Sequence, residues 1–330
     1  VVLFVQFRKT LRAYSDWWSR WRCLPVASFI AAAEHYQTGE FEKAVELYER
    51  GLASHPRSPA VVNALLDLSH CFFRLKRFDD AERVLRQAKS LAPTLREAYV
   101  RLARLQLWLG YATEAVWTMR VCLQKVAPDP ELATLFITAV VESGGVGSSV
   151  AEAQALLASL PHDDGGFARL NLARARLGLF GPEAQKSRDD LSKIASFDGA
   201  PFEAVVAFAE ILLREGKLAY AKHHLHRALV VAPEHPAVLR LLAALYLKDG
   251  PLVAPDYSVQ LAQRACQMTG WRGVREMLVL AQSHIATSDN VAALLVATKA
   301  KEVAARLIGA YPEVERLEEL LQNSSAESQA

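Results

Sequence analysis

His223, His224, His226 and His235 come nearest in this chain to metal chemistry. His223 and His226 stand three residues apart, which sets two imidazoles on one face of a helix. No acidic residue or cysteine on that segment completes the set, and histidines alone make a weak zinc site. Surface histidines are the simpler reading. His162-Asp163-Asp164 reads as a loop cap or a solvated turn. Gly144-Gly145-Val146-Gly147 lacks the following Lys-Ser/Thr and the preceding strand that a phosphate loop requires. No GxGxxG, HExxH or GxSxG segment is present. Cys23, Cys71, Cys122 and Cys266 are scattered without a CxxC pair and read as buried free thiols, which suit a reducing cytosol. Nothing in these residues supports an enzyme, and neither a metal nor a cofactor is expected.

The elements that would position any of them repeat. The segment GEFEKAVELYERGL (Gly39 to Leu52) returns as KRFDDAERVLRQAKSLAP from Lys76, GYATEAVWTMRVCL from Gly110 and GKLAYAKHHLHRALVVAP from Gly216. Ala44, Ala81 and Ala115 are 37 and 34 residues apart, and Ala221 follows 106 residues later, about three more periods. A fixed period of this kind signals stacked copies of one supersecondary unit. Such an array has no single-core size limit, so a chain of 330 residues with 52% hydrophobic residues can bury two helix faces per unit. The net charge of +2 gives no reason to propose nucleic acid as a partner.

The pattern resembles the tetratricopeptide repeat family, whose unit of about 34 residues forms two antiparallel helices. Small residues recur where the paired backbones must touch: Ala32, Ala44 and Gly51 in a unit from Pro25, then Ser69, Ala81 and Ala88 in one from Val62. Ala103, Ala115 and Cys122 follow in a unit from Arg96, and Ala209, Ala221 and Ala228 in one from Phe202. The resemblance implies an all-α, right-handed α-solenoid, a superhelix of about eight helix-turn-helix hairpins. Residues 25–129 hold three well-formed repeats, 130–200 two degenerate hairpins and 201–308 three more. Residues 309–330 form a C-terminal cap helix and a frayed tail.

Residues 1–24 carry the stripe Phe4, Phe7, Leu11, Tyr14, Trp18 and Trp21, with successive spacings of 3, 4, 3, 4 and 3. One reading is an amphipathic helix that caps the first repeat or lies in a membrane interface among its arginines. Another makes Val1 to Val5 the end of a transmembrane helix, although a span takes about 20 apolar residues. Either reading places the repeats in the cytoplasm, on the cytoplasmic face of a membrane where the N-terminal segment acts as an anchor.

In the resembling family the first helix of each unit lines a concave surface that grips a peptide or a partner helix. Carried onto this chain, those positions include Phe29, Tyr36, Asn63, His70, Arg74, Arg104 and Trp108, with Glu203, Val206, Glu210, Leu213 and Arg214 in the unit from Phe202. Aromatic rings beside arginines suit an apolar ligand with some acidic character. Only Asn63 matches the family's terminal-carboxylate clamp, so chaperone docking is not expected. The first expectation is a non-enzymatic scaffold whose partner is another protein. The second is a membrane-tethered assembly or regulatory factor of the bacterial envelope. The third is the non-catalytic repeat region of a larger enzyme such as a glycosyltransferase.

Overall fold

A computed structural model describes residues 27–145, 147–160 and 168–309, together with Tyr311 and Val314. Helices and the turns between them make up all of the described residues, with no strand. The aromatic stripe from Phe4 to Trp21, the loop His162-Asp163-Asp164 and most of the C-terminal cap lie outside them. None of the described helices is long and apolar enough to cross a membrane. The chain divides into two compact units, residues 1–98 and 99–330.

The first unit contains α1 (Ala27–Gln37), α2 (Phe41–Ser54), α3 (Val61–Arg74) and α4 (Phe78–Leu91), packed in chain order as two antiparallel hairpins. Small residues permit the close approach. Ala32, Ala44 and Ala88 are fully buried, and Ala81 is 1% exposed. A Cβ at Gly51 would overlap the Phe29 ring, so the contact between α1 and α2 needs a residue without a side chain there. Asp79 and Asp80 occupy the first turn of α4, where they complement the positive end of the helix.

Both hairpins of the first unit turn by the same device. The amide of Gly39 donates to the Tyr36 carbonyl and that of Glu40 to the His35 carbonyl, the paired bonds of a Schellman cap. The residue after the helix must then be left-handed, and Gly39 has φ 80°. Lys76 repeats the bond pattern at φ 58° without glycine's freedom, a strain that the packed hairpin holds in place. The glycine-rich turn at Gly144 is the same cap, since Gly144 and Gly145 donate to Val141 and Val140. That accounts for these glycines without any phosphate.

The second unit contains α5 (Arg96–Trp108), α6 (Ala112–Leu123), α7 (Pro130–Glu142), α8 (Ser149–Ser159), α9 (Ala168–Gly178) and α10 (Ala184–Ser196), then α11 (Phe202–Arg214), α12 (Leu218–Val231), α13 (Pro236–Tyr246), α14 (Pro255–Met268), α15 (Val274–Ala286) and α16 (Asn290–Ala304). The unit boundary falls in the first turn of α5. With the first unit this makes eight hairpins among the described residues, as the period requires. Asp129 caps α7 by accepting from the Leu132 amide at 2.9 Å, and Asp289 caps α16 by accepting from Ala292 at 3.0 Å. Cys71, Cys122 and Cys266 are buried free thiols, and burial pushes the Cys71 thiol up to about 12.

Within this unit the first hairpin meets the last ones. Trp108 Nε1 donates to the Met268 carbonyl at 3.4 Å, and Tyr111 donates its hydroxyl to the Arg272 carbonyl at 2.9 Å. The Ile308 amide donates to Glu114 Oε1 at 2.6 Å. Farther along, Arg275 Nη2 donates to the Glu142 carbonyl at 2.8 Å. A repeat array ordinarily touches only its neighbours. Here it also touches itself across sequence separations of 133 to 194 residues.

Candidate partner-binding patch and the inner face of the second unit

In the first unit three rings and a cation converge on the first helices of the two hairpins. Tyr36 and His70 stand edge to face at 5.3 Å, and Phe41 meets Tyr36 and His70 at 6.2 Å each. The Arg74 guanidinium lies 4.9 Å from the centre of the Phe41 ring. Arg74 is exposed and the three rings are half-buried, so the group is a surface with an apolar floor. Tyr36, His70 and Arg74, all named from the repeat register, lie together here. Phe41 was not among the anticipated positions, since it opens the second helix, but the tight turn at Gly39 swings its ring back onto Tyr36. Asn63 is exposed in the first turn of α3.

Phe29 requires a correction. It is only 6% exposed, packed 6.3 Å from Tyr48 and against Gly51, so it serves the core between α1 and α2 and not the surface. The absent side chain at Gly51 is what admits the ring.

Arg104 and Trp108 belong to the second unit. Arg104 is exposed and paired with Glu131 at 2.8 Å. Trp108 is half-buried, its ring 5.1 Å from His235 and its Nε1 held by Met268. Closure of the first hairpin onto the later ones thus occupies this indole internally, an effect that local spacing does not carry.

The histidines separate as well. His223 and His226 are exposed, as a surface reading holds, but His224 is buried against Phe208 at 5.2 Å. His235 lies between Trp108 and Phe202, the latter at 4.8 Å. Burial drives the His235 imidazole down to about 4. Because the folded state keeps this ring neutral while the unfolded chain titrates near 6.5, its contribution is fully present above about pH 6.5. It is lost as pH falls towards 4. An NMR titration is expected to find the His235 ring still neutral at about pH 5, and a ring that protonates near 6.5 contradicts the burial.

The inner face of the second unit carries an ion network on the first helices of successive hairpins. Glu142 accepts a short charge-assisted bond from Arg176 and lies 3.8 Å from Arg275. Arg240 lies 3.3 Å from Glu276, and Arg214 pairs with Glu210 at 2.8 Å. Burial pushes the Glu142 carboxyl up, but Arg176 and Arg275 outweigh it and hold the group below its ordinary value. For Glu276 burial wins over Arg240, and its carboxyl rises. Sequence reasoning named Glu210 and Arg214 on this face but missed the rest. One signal was there to be read. Glu142 and Arg176 are 34 residues apart, a single repeat period, with opposite charges at the same place on consecutive first helices.

Residues 25–94 match the family model for the tetratricopeptide repeat. Those residues carry tetratricopeptide repeats. The tetratricopeptide stretch holds the whole of the Tyr36, Phe41, His70 and Arg74 group. Among solved structures, a tetratricopeptide repeat protein from Parabacteroides merdae is 13% identical at a TM-score of 0.42, covering 89% of this chain and 97% of that one. Yeast Tom70 is 10% identical at 0.38, covering 92% and 96%. The TPR2AB domain of yeast Sti1, solved as a pHSP90 complex, is 13% identical at 0.34, covering 89% and 97%. No curated protein matches the chain.

Proposed function

We propose that the chain is a non-enzymatic scaffold and that its tetratricopeptide pair docks a peptide segment or helix of another protein on the patch of Tyr36, Phe41, His70 and Arg74. The convergence of these four side chains on one exposed, apolar-floored surface carries the reading. Half-buried rings supply contact area at low entropic cost, and Arg74 favours a ligand with acidic residues beside its apolar anchor. The family match supports a protein as the partner, and the buried cysteines accord with a reducing cytosol.

Selection of displayed peptides on the full chain tests it. Enriched peptides are expected to share an apolar anchor flanked by Asp or Glu. They are expected to lose at least about tenfold in affinity for a Tyr36→Ala, Arg74→Glu variant whose helical circular dichroism is unchanged. Peptides that bind this variant undiminished would place docking elsewhere and remove the proposal.

A further inference from the structure

The inner face of the second unit encloses a hollow of about 630 Å³, in the range of small-molecule sites. It belongs to a different unit from the tetratricopeptide patch and stands independently of it. Its lining alternates two chemistries. Arg176, Arg214, Arg240 and Arg275 supply cations, while Leu179, Phe180, Ile211, Leu278 and Val279 supply apolar wall.

A set of ion pairs that only staples helices together has its charges matched, and these are not. Four arginines line the hollow against two carboxylates, Glu142 and Glu210, with Glu276 beside Arg240. Even with every carboxylate ionised, one positive charge remains uncompensated. Arg176 adds an independent sign. It is 7% exposed, yet its Nε has no hydrogen-bond partner among the described residues, whereas the Nε of Arg240 faces Glu276 at 3.3 Å. A buried guanidinium N–H without an acceptor is costly, and an incoming oxyanion would satisfy it.

We propose that this hollow binds a small amphipathic anion, one carboxylate, phosphate or sulfonate head on an apolar body. Planar guanidiniums suit an oxyanion head, which accepts two parallel N–H bonds from each fork. The apolar wall takes the remainder of the ligand. An extended polypeptide is disfavoured, because contacts such as Tyr111 to Arg272 join the first hairpin of the unit to the last and leave the groove without an open end along the stack.

The test uses the full chain and two fluorescent probes of nearly the same shape, anionic 8-anilinonaphthalene-1-sulfonate and neutral N-phenyl-1-naphthylamine, at constant ionic strength. The sulfonate is expected to bind saturably at one site and to weaken at least about tenfold in an Arg214→Gln, Arg275→Gln variant, with the neutral probe unaffected. Arg275 also holds the Glu142 carbonyl, so a variant with altered circular dichroism is replaced by Arg214→Gln alone. The Arg214 side chain is 75% exposed and pairs with Glu210 on its own helix, so its removal leaves the fold intact, and a several-fold loss is expected. Equal binding of the two probes, or a sulfonate affinity unchanged in these variants, would mean general adhesion to apolar surface and would overturn the proposal.

Discussion

Tyr48→Ala is expected to destabilise the first unit by about 3–5 kcal/mol, the cost of emptying a large, closed core site. The ring is 1% exposed, faces Phe29 across α1 and α2, and donates its hydroxyl to Asp67 Oδ2 at 3.3 Å. Its neighbours Phe29 and Ala44 are themselves buried and packed, so they have little freedom to close over the cavity. Tyr48→Phe separates the contributions. It keeps the packing and loses a long hydrogen bond, at about 1 kcal/mol or less. Amide hydrogen exchange in α2 and α3 reads both variants without interference from the second unit. Similar exchange in the two variants would mean that the hydroxyl, not the ring, carries the effect.

The second large effect is expected from Glu142→Ala. Removing this carboxylate leaves the Arg176 guanidinium, with a side chain 9% exposed, buried without its counter-charge. Breaking such a pair from one side costs about 3–5 kcal/mol, and the opening of Glu142 onto the hollow points to the lower end of that range. Pairing Glu142→Ala with Arg176→Met is expected to restore much of the loss, because an apolar side chain carries no desolvation penalty. The pH dependence follows from the depressed carboxyl. Its stabilisation is complete above the unfolded value near 4.5 and disappears as pH falls through the lower folded value. Denaturant midpoints of wild type and variant should therefore converge in acid. A gap that persists at low pH, or no gap at neutral pH, contradicts this account.

Residues that act within one hairpin were legible in the sequence. Ala44, Ala81, Ala115 and Ala221 sit where helices touch, each no more than 1% exposed. Gly39, Gly110 and Gly216 sit where the chain must turn left-handed, with φ of 80°, 78° and 73°. Both demands are local, so a single repeat displays them. Phe29 and Trp108 were read as surface from the same register, and packing decided otherwise. The space for Phe29 comes from Gly51 on the neighbouring helix, and Trp108 is claimed by a hairpin 160 residues away. The cluster of Glu142, Arg176, Arg240, Arg275 and Glu276 was hidden for a related reason. Its members meet only because successive first helices face one interior, and no stretch of sequence holds more than two of them close together.

The contacts of Tyr111 with Arg272 and of Glu114 with Ile308 bear on how this chain can change over evolution. Stacked repeats commonly gain or lose whole units, since each new hairpin needs only the one before it. In the second unit an inserted hairpin would displace Arg272 and Ile308 by the rotation and rise of a repeat and part them from their donor and acceptor, Tyr111 and Glu114. The six hairpins among its described residues are thus a fixed number. Duplication and deletion, the ordinary routes by which such arrays diversify, are closed to it, and variation is left to point substitution on the walls.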